Sequence, residues 1–107
     1  MTRTETVEAI KVELSKRELR PISDNEFSKQ YLNRSRSYLA VMKHKNIDIS
    51  ESALLALYRN LASLSSSWMD IAASSPLATT SRAWQNHSLY KRLSETVWQN
   101  ISQETIL

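Results

Sequence analysis

The 107 residues suffice for one domain with a modest core, too small for a roomy cleft between domains. The chain has no Cys and no Gly, which excludes disulfides, thiolate catalysis, Cys-ligated zinc and the glycine loops that cradle phosphates. A formal net charge of +3 permits an acidic partner without requiring one.

The amino-terminal MTRTETVEAIKVE is charged throughout and unlike a signal peptide, and no apolar run reaches the length of a membrane span. The expected location is the cytoplasm. With two prolines and no glycine, hairpin turn chemistry is scarce, and helical periodicity covers most of the chain. The expected class is therefore all-α: a compact domain of four to five helices, followed by an additional long C-terminal helix.

The first helix is expected from about Thr4 to Leu19, with Val7, Ile10 and Leu14 on one face and Pro21 as its stop. The second starts at Ser23, with Glu26 three residues later as a capping box. Ile22 and Phe27 are placed as a hydrophobic staple. It runs to Asn33, a residue that tolerates the left-handed conformation at a helix end. The third begins with Ser35 as its N-cap and buries Tyr38, Leu39 and Met42. Ser50 caps the fourth, whose Leu54, Leu57 and Leu61 form the most apolar face in the chain. This helix either ends near Ser65 or continues past a kink through Ala72. ASSPLATTS, residues 73–81, reads as a linker. Beyond it a long helix carries Leu89, Leu93, Val97 and Ile101 at helical spacing, with Trp84 and Trp98 flanking. The expected organisation is thus a helical domain over 1–72, the linker over 73–81 and a C-terminal helix over 82–107.

Charge is unevenly distributed. Between Phe27 and Ile47 stand Lys29, Arg34, Arg36, Lys43 and Lys45, with no Asp or Glu. These residues straddle the junction of the second and third helices, the place where a helix-turn-helix meets a DNA backbone. Phosphate contact is assigned to Lys29, Arg34, Ser35, Lys43 and Lys45, since cations, hydroxyls and helix N-termini position a protein without reading sequence. Base readout is assigned to Arg36, Ser37, Ala40 and Val41. Arg36 offers the planar fork that guanine accepts, Ser37 bonds either base, and the two apolar residues suit a thymine methyl. Trp84, Leu89, Leu93, Val97, Trp98 and Ile101 form the expected dimer interface, because a long helix with an apolar stripe suits self-pairing.

From Leu32 to Leu61 the chain reads LNRSRSYLAVMKHKNIDISESALLALYRNL. This resembles the lambda repressor and Cro type of helix-turn-helix domain, and the likeness extends to Phe27 if one extra residue is allowed in the second helix. In that family a turn is followed by a capping Ser and a recognition helix, then a short basic loop and a second Ser-capped, Leu-rich helix. Asn33 stands where the family has its turn glycine, Arg34 where it commonly has an apolar residue, and Ser28 where it has a small one. The resemblance implies a DNA-binding regulator acting on double-stranded DNA as a homodimer, because operators need two half-sites.

Other classes read differently. A helical interaction protein, an antiactivator or adaptor bound to another regulatory protein, uses the same fold without DNA. Its mark is a basic patch neutralised by acids of the first helix. Catalysis lacks a nucleophile motif or converging acid and base groups, so no enzyme is expected. His44 and His87 lack the neighbours of a metal site, so no cofactor is expected and no membrane partner either.

Overall fold

Thr2 begins the first helix by a capping box. Its hydroxyl accepts the Glu5 N–H at 3.0 Å, and the Glu5 carboxylate accepts the Thr2 N–H at 3.2 Å. The T-x-x-E signature was legible in the sequence, although the expected box lay at Ser23. The computed structural model describes residues 2–74 and 77–106, with side chains over 2–74 and 82–102. It contains α1 (Arg3–Glu18), α2 (Asp24–Gln30), α3 (Tyr38–His44), α4 (Glu51–Ser74) and α5 (Leu77–Ile106), and no strand among the described residues. The protein is all-α.

At α2 the box forms only by half. Ser23 Oγ accepts the Glu26 N–H at 3.1 Å, but the Glu26 carboxylate takes both terminal N–H groups of Arg20, at 3.0 and 2.8 Å. A charged bidentate fork is the stronger competitor for a carboxylate than a single neutral amide. The staple residues Ile22 and Phe27 are both buried, and Phe27 stacks on Tyr31 with ring centres 5.1 Å apart.

Three left-handed residues do the work that glycine usually does: Leu19 at φ 60°, Asn33 at φ 55° and Asn46 at φ 56°. After Leu19 the Arg20 N–H reaches Ser15 O at 3.2 Å, and after Asn46 the Ile47 N–H reaches Met42 O at 2.9 Å. These are the long bonds of Schellman endings, which satisfy carbonyls left open at a helix terminus. Asn33 lies beyond the end of α2, at Gln30, because the chain first turns Leu32 fully into the core.

α4 runs unbroken to Ser74, so the run of serines at 65–67 does not end it. The expected linker over 73–81 contracts accordingly. Ala73 and Ser74 close α4, residues 77–81 open α5, and 75 and 76 lie outside the described residues. The two long helices pack side by side as an antiparallel hairpin, with Tyr58 against Trp98 at one level and Ser65 against His87 at another. α1 lies against this hairpin through Arg17, which donates to Asn86 Oδ1 at 3.2 Å and sits 5.8 Å from the Trp68 ring centre.

One core joins all five helices. Val7, Ile10 and Leu14 of α1 meet Phe27 and Leu39, then Leu54, Leu57 and Leu61 of α4, and Leu93 and Val97 of α5. Among the described residues no helix is long and apolar enough to cross a membrane.

Candidate nucleic-acid interface

The α2–α3 junction is organised around Ser28, which is fully buried. Its hydroxyl donates to Asp24 O at 2.8 Å and accepts the Leu39 N–H at 3.0 Å. A larger side chain here would push α2 and α3 apart. Asn33 is held from α4, where Asn60 Nδ2 donates to Asn33 Oδ1 at 3.2 Å and to Tyr31 O at 2.8 Å.

α3 starts later than expected. Ser35 contributes its carbonyl, which accepts the Tyr38 N–H at 3.1 Å, and the helix proper begins at Tyr38. Ser37, not Ser35, occupies the flanking position, and it makes no side-chain cap bond. Arg36 and Ser37 consequently stand on the turn before α3, and only Ala40 and Val41 of the expected readout set lie on the helix itself. All four are exposed, and Val41 keeps 41% of its surface in water.

The five expected phosphate ligands divide into two groups. Lys29, Ser35 and Lys45 are exposed, and among the described residues neither lysine has an ion pair. Lys29 also lines a shallow depression with Arg36 and Glu26. The other two cations are committed to the fold. Arg34 donates to Ser52 Oγ and, at 3.4 Å, to Ser50 Oγ, with its guanidinium 5.7 Å from the Tyr38 ring centre. The Tyr38 hydroxyl accepts the Ser50 N–H at 3.0 Å, so Arg34 and Tyr38 together anchor the start of α4 to α3.

Lys43 is held by acids from two helices. Its Nζ donates to Glu8 at 2.9 Å and to Asp24 at 3.0 Å, and Lys11 shares both carboxylates. The Glu8 hydrogen bond, aided by Asp24, raises the Lys43 pKa. For Asp24, burial pushes the pKa up, but the Lys11 and Lys43 hydrogen bonds outweigh it and leave the carboxyl below its usual value. Arg34 and Lys43, both expected to contact phosphate, are therefore engaged by partners within the fold. An arginine forking onto hydroxyls and a lysine between two carboxylates find partners that exposed neighbours lack.

The expected dimer surface is also largely relocated. Leu93, Val97 and Ile101 are buried in the chain's own core, and Leu89 packs against it. Because α5 begins three residues after the end of α4, its apolar stripe meets α4 first, and an intramolecular contact outcompetes an intermolecular one at ordinary concentrations. Trp84 and Trp98 remain 43% and 49% exposed.

His87 bridges the hairpin, with Nδ1 2.9 Å from Ser65 O. Among the described residues no three of His, Asp and Glu gather in a way that could hold a metal ion.

What sequence reasoning missed was the four-charge cluster of Glu8, Lys11, Asp24 and Lys43, which joins three helices. Its only signal was the Glu8 and Lys11 spacing on one face of α1, which reads as an ordinary surface pair.

Fold and site define an all-α protein of five described helices, with a cationic edge where α2 turns into α3. The chain belongs to a family of unknown function, DUF6626, whose family model matches residues 7–106. No curated protein matches it. No solved structure matches it either.

Proposed function

We propose that this chain is a small cytoplasmic DNA-binding regulator in which α2, residues 31–37 and α3 act as a helix-turn-helix. The observation that carries this reading is the composition of one edge. Arg36, Ser37, Ala40 and Val41 are all exposed, flanked by Lys29 and Lys45, which have no ion pair among the described residues, in a segment without a single carboxylate. Two further features support it. Asn33 is left-handed at the position where the lambda repressor and Cro family has its turn glycine, and Ser28 is buried where that family has a small residue. On this reading Lys29, Ser35 and Lys45 hold phosphates, and Arg36 meets base edges from the turn preceding α3.

A second reading, a helical adaptor that binds another regulatory protein, draws on one specific observation. Glu8 of α1 and Asp24 neutralise Lys43 and thin the basic patch. The two readings part in a binding titration. Fluorescence anisotropy with duplex from upstream of the protein's own gene, against unrelated duplex, should show preference for the former. The affinity should fall steeply with salt as counterions are released. Arg36→Ala should cost about 1–3 kcal/mol and reduce the preference, whereas Lys29→Ala should weaken both duplexes alike and lower the salt slope by about one. Absence of binding at low salt would reject DNA recognition by this chain and favour the adaptor.

A further inference from the structure

The hairpin of α4 and α5 leaves one groove open, lined by Tyr58, Ala62 and Met69 on α4 and by Lys91, Glu95 and Trp98 on α5. Its apolar members are unusually wet. Trp98 leans on Tyr58, with ring centres 5.3 Å apart, yet keeps 49% of its surface exposed, and Met69 keeps 48%. Large apolar side chains grouped on a surface mark an interaction site. On α5 the pattern is regular: Trp84, Lys91 and Trp98 recur every seven residues, which places them along one face. Lys91 and Glu95 lie one turn apart in the middle of that face. Both are exposed, and neither has an ion pair among the described residues.

We propose that this face pairs with the same face of a second copy, α5 against α5, antiparallel about a two-fold axis at the level of residue 93. Isologous interfaces must be self-complementary, and these charges are so in this arrangement. Lys91 of each copy meets Glu95 of the other, two opposite-charge contacts from one pair of residues. A parallel arrangement sets Lys91 against Lys91 and Glu95 against Glu95, which repel. The antiparallel register also brings Trp98 opposite Ser88 of the second copy, since the two positions stand equally far from residue 93. A small residue facing an indole leaves it room to bury. The pairing uses none of the core stripe of α5 and none of the α2–α3 edge, so it stands whether or not the chain binds DNA.

The test is sedimentation velocity on the full chain over a concentration series, with wild type, Lys91→Glu, Glu95→Lys and the double reversal. Circular dichroism monitors folding, which exposed charge changes leave intact. Wild type is expected to dimerise, each single reversal to weaken the dimer at least about tenfold, and the double reversal to restore it to within about threefold. A wild type that stays monomeric throughout overturns the proposal and leaves the groove to a different partner. A dimer indifferent to the single reversals, or one that the double reversal fails to rescue, overturns it as well. The Arg36 titration reads DNA binding separately, so failure of one inference is distinguishable from failure of the other.

Discussion

Leu19 is 91% exposed and sits at φ 60°, where a side chain with a Cβ crowds the following carbonyl. It makes almost no contact that glycine would lose. Leu19→Gly is therefore expected to stabilise the protein by roughly 0.5–1 kcal/mol, the relief of left-handed strain less the added entropy of the unfolded chain. A higher urea midpoint checks it. Two titrating side chains give predictions of opposite sign. The carboxyl of Asp24 is held low in the folded state, so its contribution is present above the ordinary carboxylate range, near pH 4, and fades as pH falls through the folded value. Asp24→Asn should cost about 1 kcal/mol at neutral pH and make the loss of stability below about pH 4 shallower. Tyr31 goes the other way. Burial, reinforced by Tyr90 and nearby carboxylates, pushes its phenol up to about 12. The unfolded chain ionises first, near pH 10, so stability is intact below that value and falls as pH rises towards about 12. Tyr31→Phe should flatten that alkaline decline in thermal melts.

At the scale of elements, α2 and α3 span only Asp24–Gln30 and Tyr38–His44, well short of the ~12–15 residues at which an isolated helix holds its shape. Their order depends on cross-links to neighbours. Ser28→Ala removes the acceptor for the buried Leu39 N–H and is expected to cost about 1–3 kcal/mol in urea unfolding. The start of α4 was legible, because a Ser before an apolar periodic run is a local signal, and Ser50 Oγ does accept the Ala53 N–H at 3.2 Å. The start of α3 was not. Three serines and two arginines crowd residues 34–37 and 28, and only the tertiary acceptor at Ser28 selects where the helix begins.

For the molecule as a whole, the burial of α5 against α4 carries the sharpest consequence. Leu93 is 3% exposed within one chain, so Leu93→Ala is expected to destabilise folding itself by roughly 2–5 kcal/mol, independently of protein concentration. Denaturant melts at two concentrations check this. A stripe that served only to join copies would show an effect that fades on dilution, as the wild-type dimer itself dissociates. The face that remains open is displaced around α5, where Trp84 and Trp98 stay half in water.

The sequence by itself determined the all-α class, the apolar faces of α1 and α4, the staple at α2 and the choice of Asn33 for a turn that lacks glycine. Each rests on periodicity or on bonds between residues a few positions apart, which a chain carries before it folds. Only the tertiary structure decided which cations stay free. Lys43 is withdrawn by Glu8, 35 positions away, and Arg34 by Ser52, 18 positions away. It alone decided, too, that the stripe of α5 turns inward. An apolar face is the same whether it meets its own chain or another, and the return of α5 along α4 is what selects the partner.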